Sequence, residues 1–426
     1  MLTNSLRKSI IPSFSRAFSG LIPEVTSKAP IEASYKEVEA TGRVMNLAAG
    51  NAAIPIEVLK KYADNFVRWN GNGISVAEMG YRTKWFHEIQ DSTESKFRDI
   101  LGIPDTHEVF FLNGGATLQF AAVPLNLMGG AQPTNPVRAK TANYVQNGHW
   151  AAKASNEASL YCNVHSVNND PEDLYFTLQE PKTWNFDKNA VYTHFTSADT
   201  RQGFQFREFP YHVVPKDQLL ICDASADLGS KMVDISKYDV IYAAAHKNFS
   251  TAGFCLTIIR KDIIKNETIL PYAPTMTRWK VFNDAPNKIW NVPVITSVYM
   301  ADLMLDYMKE RGGLEYFADL AKRRAHVLYD FIDESHGFYK TFVTDIRYRS
   351  RMQVVFTIGD GTTIKNQELV SKFLDEASQL NGWLDVRSHP LGIPSDAIRI
   401  TMYNPQPIEH IVEVRKFMID FMKRNK

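Results

Sequence analysis

Apolar residues recur along this chain with two different periods, and the places where the period changes mark out its elements. In EVLKKYADNFVRW (57–69), Val58, Tyr62, Phe66 and Trp69 are spaced by three or four, which predicts an amphipathic helix. EVFFLNGGATLQFAAVPLNLM (108–128) changes period midway: Val109 to Leu112 read as a short strand, Gly114-Gly115 interrupts it, and helical spacing begins at Leu118. A strand–glycine–helix junction leaves backbone N–H groups free at the positive end of the helix. ANYVQNGHWAAKAS, AVYTHFTS, QLLICDASAD and YDVIYAAAH each begin apolar and finish in polar or small residues. Strands alternating with helices predict an α/β fold with a mostly parallel sheet covered on both faces. In such sheets the ligand crevice lies beyond the carboxyl ends of the strands.

The pattern shifts near residue 300. TSVYMADLMLDYMKERGGLEYFADLAKRRAHVLYDFIDES reads as two long helices broken at Gly312-Gly313. The strand-like RMQVVFTI, a helix over 367–380, a strand from Ala397 to Tyr403 and a last helix follow. That helix carries Ile408, Ile411, Val414, Met418 and Phe421 along one face. A large domain over 23–300 and a smaller α+β domain over 301–426 are expected.

Composition narrows the partners. With 48 Lys+Arg against 47 Asp+Glu, the formal charge of +1 points to neither nucleic acid nor an anionic membrane surface. Cys162, Cys222 and Cys255 lie far apart, which suggests no metal site and no disulfide framework and fits a reducing compartment. No apolar run is long enough to cross a bilayer. The start, MLTNSLRKSIIPSFSRAFSGLIP, carries Arg7, Lys8, Arg16 and several serines, with no acid before Glu24. That is the composition of a mitochondrial transit peptide, expected over 1–22; a solvated tail on a cytoplasmic protein is the alternative.

One residue sits oddly in this pattern. Lys247 lies in YDVIYAAAHKNFSTAGFCLTIIR (238–260), otherwise apolar or small, although lysine is among the residues least often buried. Either it emerges into solvent at a strand end, or it occupies a dry pocket where its amine serves as a nucleophile. Other strand ends offer matching chemistry. Gly114-Gly115-Ala116-Thr117 opens a helix and could cradle a phosphate. Trp150 could stack on an aromatic ring, Asp223 could face a ring nitrogen, and Thr200 and Ser225 could complete a polar cup. Each has an ordinary structural explanation, as a tight turn, a core tryptophan or a helix cap. Together with a buried amine they are what pyridoxal phosphate requires.

Read in order, NLAAGNAAIPIEVL, WNGNGISVAEMGYR, FLNGGATLQFAAVPLNL, NGHWAAKA, CDASAD, AAHKNFSTAG and ESHGFYKTFVTDIRYRSRMQVVF resemble the pattern of phosphoserine aminotransferases, from about residue 44 to 424. The resemblance implies a class-V, fold-type I pyridoxal-phosphate enzyme. Lys247 would anchor the cofactor and Asp223 would face its ring nitrogen. Trp150 would stack on the ring, with Thr200, Ser225 and Gly115-Ala116-Thr117 as further contacts. The implied reaction moves an amino group between glutamate and 3-phosphohydroxypyruvate, giving O-phosphoserine and 2-oxoglutarate. The resemblance also implies a homodimer with shared sites. Arg82 would be a substrate-phosphate arginine given across the dimer, and Arg387 and Arg399 would bind carboxylate and phosphate from the small-domain side.

The chain departs from that pattern around the phosphates. Tyr81 precedes Arg82 where the family has histidine, and His246 stands before the lysine where it has glutamine. Asn291 is followed by Val292 in place of a hydroxyl residue, and Val386-Arg387-Ser388-His389 replaces a His-Arg-Ser stretch. Each lost hydrogen bond to a charged group costs about 1.5–3 kcal/mol, enough to alter substrate preference. A class-V aminotransferase for another 2-oxo acid is therefore the second reading, and a non-catalytic paralogue the third. Retention of Lys247 and Asp223 argues against the third.

Overall fold

A computed structural model describes residues 42–130, 140–168, 177–265, 268–379, 383, 385–386 and 397–426. The basic N-terminal segment, Arg387, Ser388 and His389 lie outside these described residues. Val44–Lys426 forms one compact unit. Its elements run in the order α1 (Ile56–Phe66), α2 (Lys84–Leu101), β1 (His107–Asn113), α3 (Gly115–Leu127), β2 (Thr141–Tyr144), α4 (His149–Ala158), β3 (Asn163–Ser166), β4 (Tyr192–Thr196), β5 (Ala198–Asp199) and β6 (Phe204–Gln205). There follow β7 (Leu219–Asp223), β8 (Val240–Ala244), β9 (Phe254–Arg260), α5 (Lys261–Lys265), α6 (Trp279–Asp284), α7 (Ile295–Glu310), α8 (Gly313–Glu334), β10 (Tyr339–Thr341), β11 (Gln353–Ile358), α9 (Ile364–Gln379), β12 (Ile398–Thr401) and α10 (Ile408–Asn425).

Helix α1 ends short of the predicted 57–69 span. After Phe66 the chain doubles back, with Val76 N–H bonding the Phe66 carbonyl (3.1 Å) and Trp69 N–H bonding Ile74 (2.9 Å). These longer-range bonds replace the helical ones, and Asn70 turns the backbone at φ 46°. Trp69 is still buried, but from a separate 3₁₀ turn.

Seven strands form the main sheet, in the order β1-β9-β8-β7-β4-β2-β3. From β8 to β3 every pairing is parallel, and β9 runs antiparallel to both its neighbours. The connection from Ala244 to Phe254 is too short for a helical crossover, so β9 must return antiparallel. Since β9 opposes both β8 and β1, strands β1, β2, β3, β4, β7 and β8 all point their carboxyl ends to one edge. Alternation along each strand feeds two core layers. Phe110, Tyr144, Tyr192, Ile221 and Tyr242 pack with Phe120 of α3 on one face. Phe195, Cys222, Ile241 and Leu256 pack with Phe97 of α2 and Val298 of α7 on the other.

Strands β10, β11 and β12 make a separate antiparallel sheet. Helices α8, α9 and α10 bury Leu328, Phe373, Val414, Met418 and Phe421 against Val354, Phe356 and Ile400. The α10 face read from sequence is the buried one, with Ile411, Val414, Met418 and Phe421 fully inaccessible.

Candidate active site

The open question about Lys247 is answered by burial: its side chain belongs to a residue only 9% exposed. It follows β8 in a tight turn, where Phe249 and Ser250 N–H groups return to the Ala245 carbonyl at 3.1 and 2.8 Å. Asn248 locks this turn, donating to Leu228 O (3.0 Å) and accepting from Asn404 N–H (3.0 Å). The second bond ties the lysine turn to the chain leaving β12, which carries Arg399. Among the described residues the Lys247 amine has no hydrogen bond or ion pair; it lies 5.7 Å from the Trp150 ring centroid. Burial lowers its pKa, and the charges of Asp223, Asp199 and Asp227 partly oppose that shift.

Trp150 and Thr200 belong to one structure. Trp150, in the first turn of α4, donates its indole N–H to Thr200 Oγ1 (3.0 Å). Asp199, fully buried, holds Trp150 and the turn that follows Thr200. Its carboxylate accepts from Trp150 N–H (2.8 Å), Arg201 N–H (2.8 Å) and Gln202 N–H (3.3 Å). Burial raises the Asp199 pKa and these backbone donors oppose the rise. Sequence reading passed over Asp199, since an acid in SADTRQG looks like any turn residue. Gly148 makes room for it: the residue has φ 151°, and an added Cβ would lie 2.5 Å from the Asp199 carboxylate. Gly148→Ala is therefore expected to destabilise the protein by about 1–3 kcal/mol in denaturant unfolding and to shift Trp150 fluorescence; unchanged values for both would refute this packing.

Asp223 ends β7, in register with Thr196 on one side and Tyr242 on the other. Its Oδ1 accepts from Ser225 N–H (3.0 Å), and Ser225 Oγ in turn accepts from Ala244 N–H (3.1 Å). Burial raises the Asp223 pKa, while the Ser225 bonds and the Lys247 charge pull it down. His246 is held near pKa 4 by burial and by Lys247, so at neutral pH its ring is uncharged and offers one N–H. At the end of β1, Gly114 and Gly115 adopt φ 93° and 63° and start α3. A Cβ at Gly114 would strike the Leu118 side chain at 2.7 Å, so glycine is needed to open this N-terminus. Ala116 and Trp150 pack against the same core layer, and Thr117 is exposed.

These residues fit pyridoxal phosphate. Lys247 and Asp223 bury opposite charges at one sheet edge with no ion pair between them, and Thr196 Oγ1 beside Asp223 is buried with no hydrogen-bond partner among the described residues. An indole face, a buried acid, an unengaged amine and a helix N-terminus match, in turn, the ring, its nitrogen, the aldehyde and the phosphate.

Arg399, on β12, reaches the same place. It is 4% exposed, and its Nη1 donates to Thr200 O (3.4 Å). Other residues predicted to contact substrate (Arg82, Tyr81) or cofactor (Asn291) are not gathered here. Arg82 is exposed, with its guanidinium over the Tyr81 ring at 5.0 Å. Asn291 donates to the Val292 carbonyl, which also receives Asn113 Nδ2 (3.3 Å). Among the described residues no hydrogen bond or ion pair joins either to Lys247; Arg82 lies just before α2 and Asn291 in the loop before α7.

The class-V aminotransferase family model matches residues 44–380. A phosphoserine aminotransferase of Chromobacterium violaceum is 36% identical over 384 residues, covering 90% of this chain and 99% of that protein. The chain belongs to the class-V aminotransferase family. Two solved phosphoserine aminotransferases share the fold. That of Bacillus circulans subsp. alkalophilus superposes with a TM-score of 0.82 at 31% identity, covering 90% of this chain and all of the other. A pyridoxal-phosphate-bound one from Trichomonas vaginalis gives 0.79 at 29% identity, covering 89% and 100%. This class-V aminotransferase is a pyridoxal-phosphate-dependent transaminase, as its sequence suggested.

Proposed function

We propose that this chain transfers an amino group between glutamate and 3-phosphohydroxypyruvate, giving O-phosphoserine and 2-oxoglutarate. The observation that carries this reading is full-length similarity to phosphoserine aminotransferases together with an unengaged, buried Lys247 facing Trp150. When bound, pyridoxal phosphate supplies an electrophilic carbon and an electron-withdrawing ring.

The residues divide the remaining work. Lys247, its amine readily freed of a proton by burial, anchors the cofactor and then shuttles a proton at the substrate Cα. Asp223 keeps a proton on the ring nitrogen. Trp150 and Thr200 fix the plane of the site, and the α3 N-terminus with Ser225 and His246 holds the phosphate arm. Arg399 takes a carboxylate of the substrate. Arg82, Tyr81 and Asn291 complete a neighbouring site in a homodimer. Trp290 and Val292, 54% and 62% exposed beside Asn291, are apolar surface that such an interface would cover; a monomeric mass in solution would remove this part. The basic, acid-free N-terminus supports import into the mitochondrial matrix, and an intact Met1 on protein from its native source would count against cleavage.

The deciding experiment mixes the cofactor-loaded enzyme separately with O-phosphoserine, glutamate, serine and alanine, and follows cofactor absorbance. O-phosphoserine and glutamate should react fastest. If O-phosphoserine reacts no faster than serine, the substrate assignment is wrong.

A further inference from the structure

The turn between β5 and β6 carries a second arginine, Arg201, next to the Thr200 carbonyl that Arg399 bonds. We infer that Arg201, held by His149, binds the distal anion of the substrate, whether phosphate or γ-carboxylate, while Arg399 takes the α-carboxylate. This deepens the amino-transfer reading and rests on it.

Three observations converge. First, Arg201 directly follows Thr200, whose hydroxyl accepts from Trp150 and whose carbonyl accepts from Arg399. The Arg201 backbone is fixed by Asp199, so the side chain starts from a rigid point at the site. Second, Arg201 Nη1 lies 2.8 Å from His149 Nδ1, and the His149 ring meets Trp150 edge-on at 5.3 Å. A guanidinium only donates, so His149 Nδ1 accepts and the imidazole proton is on Nε2. The contact ties the guanidinium to the residue next to Trp150, through an acceptor that carries no negative charge. Third, the two guanidinium groups repel: the Arg201 charge acts with burial to lower the Arg399 pKa. Asp199 uses its oxygens on backbone N–H groups, and Asp385, the one acid in an ion pair with Arg399 among the described residues, is 3.7 Å away.

Two arginines, one bonded to Thr200 and one to His149, suit a substrate with two negative ends, since each planar fork accommodates one carboxylate or phosphate. An amino acid with a neutral side chain would satisfy only one of them. Arg201 therefore acts as a specificity-determining residue, selecting phosphorylated or acidic partners.

The test compares wild type with Arg201→Gln and Arg201→Lys in the cofactor-loaded enzyme. For each, the first half-reaction is measured with O-phosphoserine, glutamate, serine and alanine. Binding of 3-phosphoglycerate, a non-reacting molecule with a carboxylate at one end and a phosphate at the other, is measured by calorimetry, and thermal unfolding confirms the fold. Arg201→Gln should lower efficiency with O-phosphoserine and glutamate, and weaken 3-phosphoglycerate, by about 10- to 100-fold, while serine and alanine move far less. Arg201→Lys should recover part of the loss, keeping charge without the fork. An equal loss for all four amino acids, or no loss in 3-phosphoglycerate binding, overturns the inference. Failure of the underlying reading shows separately: wild type would then fail to prefer O-phosphoserine to serine, while the contrast between glutamate and alanine would still report on Arg201.

Discussion

Replacing Lys247 with alanine is expected to abolish amino transfer, with a loss of at least about 10⁴-fold at saturating substrates. Two functions disappear together. Of the two lysine amines near the Trp150 ring among the described residues, Lys153 belongs to an exposed residue and Lys247 to a buried one; the buried amine is the nucleophile, and it is the base best placed for the proton at Cα. Arg399 is a permanent cation there, and Asp223 must keep its charge for the ring nitrogen. Because the amine has no hydrogen bond to lose, thermal unfolding of the cofactor-free protein should change little. Lys247→Arg keeps the charge and should be equally inactive, which separates chemistry from electrostatics. The direct readout is borohydride treatment of the loaded enzyme followed by denaturation: wild type should retain the cofactor covalently and Lys247→Ala should release it. Activity above about 1% of wild type in the alanine variant, or retained cofactor, would show that the anchor lies elsewhere.

Asp223→Asn should lower kcat by about 10²- to 10³-fold, the scale of losing one preorganised electrostatic partner in a dry site. Asparagine keeps the shape and can still accept from Ser225 N–H, so the fold should survive. It cannot hold a cationic ring nitrogen. The same change carries a pH signature with opposite sign for stability. Burial raises the native pKa of Asp223 above its unfolded value. The protonated acid is thus favoured in the native state, and stability from this group is complete below about pH 4, where the unfolded chain also holds its proton. As pH rises through the raised native pKa, that contribution is lost. In the cofactor-free protein, Asp223→Asn should therefore be more stable than wild type at neutral pH, with the advantage vanishing in acid. Equal stability of the two at pH 7 would mean that Asp223 is not strained by burial, and its proposed role would lose its physical basis. Cofactor binding should reverse the order, since the ring nitrogen neutralises the carboxylate.

Much of the candidate site was visible in local chemistry. Lys247 stood out because a lysine among alanines is improbable, and Asp223 because an acid ended an apolar strand. Gly114-Gly115 marked a change from strand to helix period. Asp199 and Arg201 did not stand out, because their neighbours are polar and nothing nearby contrasts with them. Their roles come from contacts to residues about fifty positions earlier, Trp150 and His149. Arg82 and Asn291 illustrate the reverse: motif order singled them out, yet within one chain neither touches the lysine cluster.

What the sequence by itself determined is the set of elements and which of their faces are apolar, because side-chain period is a local property of helix and strand. It also determined which reactive residues the chain owns and in what order. Only the tertiary structure decided that six carboxyl ends share one edge, that β9 must run backwards, and that Lys247 is buried. The same holds for the Asp199 carboxylate, which supports both Trp150 and the turn at Arg201 and Gln202. Those facts depend on which distant segments pack together. A pKa or a hydrogen bond at this site is set by neighbours far along the chain, brought close by the burial of apolar faces rather than by anything next to it in sequence.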